Sequence, residues 1–298
     1  MKTIMTRAAR EILVSVSGYT DAGKRQRRNE DSFLVANLIA EGYELPFYLS
    51  EQSLSRRGML FVVADGMGGA VAGEVASAAA VTRLHETMAA LPDEVAAGEQ
   101  LRRATESANE NIWALAQENP ALRGMGSTLT AVFVKDGVAY LSQVGDSRAY
   151  LIRGDKIRQL TRDQSLVQLL IDIGDVTPEE APSHPKRKVI LQALGAQPKV
   201  RAEMTMVELC RGDYLILCSD GLSNYVTPPE IHEIAVRSPD RETACWRLID
   251  LANAHGGEDD MTVVVARFDG ERLPSANSKT ITASMHKIER LRQGGARC

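Results

Sequence analysis

The chain has 298 residues, 44% of them hydrophobic and 25% charged, with a formal charge of −4. That is enough apolar material for one large core or two modest ones, and the slightly acidic balance excludes a general affinity for nucleic acid or anionic membranes, which want a basic excess. No run reaches the roughly 18 apolar residues of a membrane span, and Cys210, Cys218, Cys245 and Cys298 form no C-x-x-C pair, so neither a zinc site nor a disulfide frame is expected.

The opening stretch MKTIMTRAAREILVSVSG has charges on both sides of a short apolar run. It lacks the long apolar region and cleavage site of a secretory signal, which points to a cytoplasmic protein. Strands are expected over Ile12 to Ser17, Ser32 to Leu38 and Met59 to Ala64, with a long hairpin loop between Ala40 and Arg57. Val75, Ala78, Val81, Leu84, Met88 and Leu91 fall three or four apart and predict a helix from Gly73 to Leu91. Leu101, Ala104, Ala108, Ile112 and Leu115 predict a second, from Glu99 to Gln117. Both stripes are alanine-rich, which suits close packing on a sheet, and core packing explains them fully.

STLTAVFV, the turn KDG and VAYLSQVGDSRAYLIRGDKIRQLT then read as a β-meander of antiparallel hairpins. A helix follows from Asp163 to Ile173, and TPEEA at Thr177 has the N-cap and proline of another helix start. SHPKRKVILQALG is basic, then apolar. MTMVELCRGDYLILCSDG is a strand, a turn and a strand. TPPEIHEIA and SPDRETACWRLIDLANAHGG each open with an N-cap and proline, the second closing on Gly256, before a last strand from Met261 to Phe268. Beyond Asp269 the chain is polar and weakly patterned. The expected division is therefore a domain over residues 1–270 and a polar tail over residues 271–298. This element order is not the strict alternation of a doubly wound sheet. An α+β fold of two antiparallel sheets with helices packed outside them fits better.

Five acidic spots lie at the end of an apolar strand or in the turn beyond it. They are Glu30 and Asp31 in RRNEDSFLV, Asp65 in VADGMGG, Asp146 in VGDSRAY, Asp220 in CSDG, and Asp259 and Asp260 in GGEDDMTVVVA. Turn and cap chemistry explains any one of them. As a set they ask for more, because Asp65, Asp220 and Asp259 all stand beside glycines. If these tips converge, two like charges about 4 Å apart repel by roughly 4 kcal/mol at an effective dielectric near 20. Such a cluster takes up protons or binds cations. Its donors are hard oxygens, which select magnesium or manganese over zinc. Two such ions sharing an aspartate would acidify a water between them and stabilise in-line attack on phosphorus, so the substrate would be a phosphate ester. An arginine is expected beside it, since its planar fork grips phosphate. GKRQRRNED offers Lys24, Arg25, Arg27 and Arg28.

RRNED, VADGMGGAVAGEVAS, GMGSTLTAVFV, VGDSRAYLIR, LTRDQSLVQ, SHPKRKVILQALG, LILCSDGLSNYV and GGEDDMTVVVA follow in that order. The set resembles the metal-dependent protein phosphatases of the 2C type, nearest their bacterial serine/threonine members, over about Ser17 to Phe268. The resemblance implies a central β-sandwich with helices on both faces and a binuclear metal centre at one end. It implies that Asp65 bridges both ions, that the Gly66 carbonyl and Glu30 serve the second, and that Asp220 and Asp259 complete the first. Asp31 would orient that shell, and Asp146 would hold a third, weaker ion. Thr177 to Gly195 matches the family's flap beside the site.

Three positions depart from the pattern. Gln26 stands where the family's phosphate-gripping arginine sits, leaving Arg25 or Arg27 to reach the anion. Met67 stands where animal members carry a histidine. Asp260 replaces a common asparagine. The expected activity is removal of phosphate from serine and threonine of proteins, with two manganese or magnesium ions and a cognate serine/threonine kinase as counterpart. Two other readings are a phosphoprotein-binding module of the same fold and a phosphodiesterase or nuclease. The second is disfavoured by the charge of −4 and by the lack of a basic, aromatic-studded groove.

Overall fold

Alternation along the strands sets the layering. In β5 (Met59–Met67), Met59, Phe61 and Val63 enter one apolar cluster, while Leu60, Val62 and Ala64 enter another. Successive side chains of a strand point to opposite faces, so β5 is covered on both sides. The computed structural model describes residues 11–24, 28–39, 42–44, 48–68, 72–276 and 280–288. Within them the chain forms two antiparallel sheets packed face to face, with helices on both outer faces, as the sequence led us to expect.

The first sheet runs through β10 (Lys156–Gln159), β9 (Arg148–Arg153), β12 (Tyr214–Cys218), β13 (Met261–Asp269), β1 (Leu13–Asp21) and β4 (Tyr48–Ser53). The second runs through β14 (Met285–Lys287), β11 (Glu203–Glu208), β8 (Val138–Val144), β7 (Leu129–Lys135), β5, β2 (Asp31–Ile39) and β3 (Gly42–Glu44), with β6 (Gly126–Ser127) paired to the tip of β5. Val14, Val16, Phe61, Leu151, Leu215 and Phe268 fill the space between the sheets. Phe61 and Phe268 meet edge to face at 6.3 Å between ring centres. Burying a side chain of this class contributes about 1.5–3 kcal/mol. Ala76, Ala80 and Leu84 of α1 (Ala72–Ala90) and Leu101, Ala104 and Ala108 of α2 (Ala97–Glu118) cover the second sheet.

Several local expectations change. Part of the 40–57 segment is strand rather than loop: β4 lies along the edge of the first sheet beside β1, and β3 beside β2. The expected meander is two hairpins in different sheets, β7–β8 and β9–β10, and the chain crosses between sheets at Gly145 to Ser147. β11 and β12, adjacent in sequence, likewise belong to opposite sheets.

α3 (Leu166–Ile173) starts later than Asp163, capped by the Ser165 hydroxyl, which accepts from Gln168 N–H at 3.2 Å. Asp163 is instead held by Arg148, at 2.6 Å. Thr177 and Glu180 exchange the hydrogen bonds of a capping box, yet no α-helix follows, only a 3₁₀ turn at Ala181–Ser183. Pro182 and Pro185 remove the amides and disfavour the backbone that a helix would need.

α4 (Asp220–Ser223) is a single turn following β12. α5 (Pro228–Arg237) has the full Thr227–Glu230 capping box. α6 (Arg241–Ala254) is capped by Asp240 rather than Ser238, whose proline would have begun the helix, because the Asp240 carboxylate accepts from Thr243 N–H at 2.6 Å. Ile231 of α5 with Leu248 and Ile249 of α6 pack on the first sheet. Beyond Asp269 the chain is not a separate tail throughout: after α7 (Ile281–Ser284), β14 adds a strand to β11. Residues 289–298, with Cys298, lie outside the described residues. Cys210, Cys218 and Cys245 are buried and form no disulfide. No helix among the described residues is long and apolar enough to cross a membrane.

One buried ion pair holds the crossing between β11 and β12. Arg153 donates to both Asp213 oxygens at 2.8 and 2.7 Å, and Asp213 also accepts from Cys210 N–H at 2.8 Å. Removing one member leaves the other charged and dry, which costs about 3–5 kcal/mol. Asp213→Ala should lower the unfolding free energy by that amount in urea titration. A change under about 1 kcal/mol would show that the pair contributes nothing there.

Candidate metal centre

Antiparallel pairing brings strand starts and strand ends to the same edge. Asp31 opens β2 and sits directly across from Asp65 near the end of β5. Asp220 follows β12, while Asp259 and Asp260 precede β13, its partner. Asp146 lies in the β8–β9 crossing. Carboxylates from five separate parts of the sequence thus meet at one end of the sandwich.

The tip of β5 is locked in place. Asp65 N–H donates to the Thr128 hydroxyl at 2.9 Å, and its carbonyl accepts from Thr128 N–H at 2.8 Å and the Ser127 hydroxyl at 3.1 Å. Thr128 in turn shares a 2.7 Å hydrogen bond with Ser147, beside Asp146. On the facing strands, Ser219 accepts from Thr262 N–H at 2.9 Å. Asp260 accepts from Glu30 N–H at 2.7 Å, which ties the start of β13 to the residue before β2.

Close backbone approach explains the glycines. A Cβ on Gly66 would stand 2.0 Å from the Gly73 carbonyl oxygen, and one on Gly73 would stand 2.6 Å from the Glu30 carboxyl carbon. The first turn of α1 can lie against the β5 tip and leave room for Glu30 only because both are glycine. Gly221 meets the same limit, with a Cβ 1.9 Å from the Asp260 carbonyl oxygen.

The electrostatics follow from this crowding. Burial pushes Asp31 up to about 7, with the charges of Asp260 and Asp220 adding to it, against the Thr262 and Ser219 hydroxyls. Burial, then Asp220 and Asp163, push Asp146 up to about 7 against the pull of Arg148. Asp65 is raised well above the usual carboxylate range by burial and then by Asp31, Asp220 and Asp146. Burial and Asp259 raise Asp220, although a hydrogen bond from Asp65, the charge of Lys188 and the Asn224 amide oppose them. Glu30 is raised by burial, then by Asp260, Asp259 and Glu74. Asp65 and Asp220 each keep some open surface.

The cluster therefore carries an excess of negative charge. Both Asp31 oxygens and one Asp146 oxygen are buried without a well-aligned hydrogen-bond partner. Among the described residues, no three of these groups already stand as a closed ligand set. Oxygen donors alone, rich in charge, fit a hard divalent cation. Every predicted carboxylate is brought to this end of the sandwich, and so is the Gly66 backbone. Arg25, Gln26 and Arg27 lie outside the described residues.

Sequence reasoning missed the side chains that act on the cluster from nearby. Ser127 and Thr128 were visible as part of GMGSTLTAVFV but carried no stated role. Asn224 donates to Asp220 at 3.1 Å, and Lys188 pairs with Asp259 at 2.7 Å. Neither has a local signal, since an asparagine after a short helix and a lysine in a basic run are common.

Known proteins give this arrangement a context. A family model described as Protein phosphatase 2C matches residues 49–242. Serine/threonine protein phosphatase PstP of Mycobacterium tuberculosis is 42% identical over 220 residues, 73% of this chain but 42% of that protein, so the chain spans less than half of that relative. Serine/threonine phosphatase stp of Listeria monocytogenes is 39% identical over 214 residues, 70% of this chain and 84% of the relative. The crystal structure of the PstP catalytic domain in complex with two manganese ions superposes with a TM-score of 0.72 at 35% identity, covering 87% of this chain and 99% of that one. With the family model matching most of the sandwich and the relatives extending the match, the chain belongs to the protein phosphatase 2C family.

Proposed function

We propose that this chain is a metal-dependent protein phosphatase that hydrolyses phosphoserine and phosphothreonine esters on proteins by direct attack of water. The observation that carries the reading is the convergence of Asp65, Asp220, Asp259, Asp146, Asp31 and Glu30 on one end of the sandwich, where burial and neighbouring charge raise the proton affinities of Asp65, Asp220, Asp146, Asp31 and Glu30. The relative whose structure holds two manganese ions supports the choice of metal, and magnesium shares the same donor preference. Two bound ions supply an acidified water and neutralise the phosphoryl charge.

The chain's own residues do the rest. Asp65, Asp220, Asp259, Glu30 and the Gly66 carbonyl hold the two ions, and Asp146 holds a third, weaker one. Asp31, pinned opposite Asp65, orients the ligand shell. Thr128, Ser127 and Ser147 keep the Asp65 backbone from moving as charge changes. Arg25 or Arg27 grips the phosphate. Met67 has no proton to give, so the leaving alkoxide is protonated by water. The substrates are phosphoproteins made by a serine/threonine kinase, and we place both enzymes in the cytoplasm.

The test is hydrolysis of p-nitrophenyl phosphate and of a phosphothreonine peptide by the full chain with manganese. Both activities should vanish in excess chelator and return with the metal. Turnover that persists in chelator would overturn the reading.

A further inference from the structure

We propose that Lys188 is a substrate-phosphate ligand, its ammonium exchanging Asp259 for the phosphoryl oxygens when the phosphoester binds. This rests on the function proposed above and adds a second cation to the arginine expected before β2.

The placement of Lys188 is built into the fold. It lies in the segment between α3 and β11, which is pinned on its C-terminal side by three backbone contacts. Leu166 N–H donates to the Val189 carbonyl at 2.8 Å, and Leu191 N–H to the Gln164 carbonyl at 2.8 Å. Leu194 and Ser127 exchange backbone hydrogen bonds at 2.8 and 3.1 Å. Ser127 is the residue whose hydroxyl holds the Asp65 carbonyl. The segment is thus tied to the β5 tip itself, and Lys188 reaches back from it over the acids.

The side chain ends in an exposed position beside Asp259. Its Nζ stands 2.7 Å from an Asp259 oxygen, with the two side chains 57% and 43% exposed. Its charge is also felt at Asp220. Two other described cations near the acids are committed elsewhere. Arg148 sits deeper and is joined to Asp163 through Nε and Nη2. Arg28 pairs with Glu74, at 3.7 Å.

An exposed ion pair such as Lys188–Asp259 is weak and readily exchanged. A divalent ion on Asp259, as the proposed function requires, withdraws the negative charge that now holds the ammonium. Phosphate arriving at the metal-loaded acids then competes for the ammonium. A lysine suits this exchange because it is a compact charge on a flexible four-carbon stem, and an ammonium–phosphate hydrogen bond is charge-assisted at both ends.

The experiment compares the manganese-loaded full chain with Lys188→Met and Lys188→Arg, using inorganic phosphate as the probe. Calorimetry measures phosphate affinity directly, and competition against p-nitrophenyl phosphate measures it kinetically. Lys188→Met should weaken phosphate about five- to tenfold by both methods and raise KM more than it lowers kcat. Lys188→Arg should stay within about twofold of wild type, because it keeps the charge. Manganese affinity should change by no more than about fivefold, since the surrendered pair is exposed.

Unchanged phosphate affinity in Lys188→Met, with wild type active, would leave the lysine as a counter-ion of Asp259 only and overturn the proposal. So would a variant whose manganese affinity alone improves. A wild-type chain that binds manganese but hydrolyses no phosphoester would overturn the function itself, and this proposal with it.

Discussion

Asp65→Asn should abolish hydrolysis of p-nitrophenyl phosphate and, in excess chelator at pH 7.5, make the protein more stable than wild type. The loss follows from its place: a carboxylate directly opposite Asp31, hydrogen-bonded to Asp220 and within the fields of Asp31 and Asp146. An amide of the same shape keeps the backbone bonds to Thr128 but carries no charge for a cation. Groups that only orient ligands cost about 10–100-fold when removed, so a direct ligand should cost roughly 10³-fold or more. The stability gain follows from the same crowding. Burial and three neighbouring carboxylates make Asp65 hold its proton far more tightly when folded than when unfolded, which is a cost of folding at neutral pH. The amide removes it, for a gain on the order of 1–3 kcal/mol at pH 7.5 that shrinks toward pH 4.5. Thermal melts in chelator read this directly. Wild-type turnover, or a variant less stable than wild type at pH 7.5, would mean that Asp65 is an ordinary turn aspartate.

The second large effect is a pH dependence that manganese should reverse. Asp31 and Asp146 have folded pKa values of about 7, against about 3.9 for an unfolded aspartate. Below about pH 4 both states hold the proton and these groups contribute nothing. Between about pH 4 and 7 the unfolded chain releases protons that the folded chain keeps. Stability therefore falls as pH rises through that window and levels off above it. Three units correspond to about 4 kcal/mol for one such group alone. Because the carboxyls repel one another, the cluster as a whole should lose an amount of that order rather than several times it. A cation that takes their place stabilises only the folded state, by about 2.7 kcal/mol per site at a hundredfold excess over Kd. It must first displace protons at low pH. Manganese should thus raise Tm by roughly 5–10 °C at pH 7.5 and by much less at pH 5.5. An equal shift at both pH values, or a chelated protein most stable at pH 7.5, would contradict the crowded-carboxylate picture.

Much of this was legible in the amino-acid order because it depends on local pattern. Period-2 alternation and apolar strand runs located β2, β5, β12 and β13 to within a few residues. The three-and-four spacing located α1 and α2 in the same way. The acids stood out because each interrupts the chain at the end of such a run, often beside a glycine. Where local signals were right in chemistry and wrong in outcome, a neighbour overruled them. The Thr177 capping box formed its hydrogen bonds, and Pro182 and Pro185 still prevented a helix. Asp163 stayed outside α3 because Arg148 holds it.

The identity of the central strands, the helix faces and the inventory of carboxylates were thus determined by the residues alone. Which sheet each strand joins was decided only in three dimensions: β8 and β9, and again β11 and β12, are consecutive in sequence yet lie in opposite sheets. Alternating apolar residues look the same whichever partner they meet, so nothing local distinguishes a hairpin from a crossing. The same holds for β14 beside β11, for Asp260 beneath the Glu30 amide and for Lys188 over Asp259. Each is a contact between segments far apart in sequence, set by how the layers close around the core.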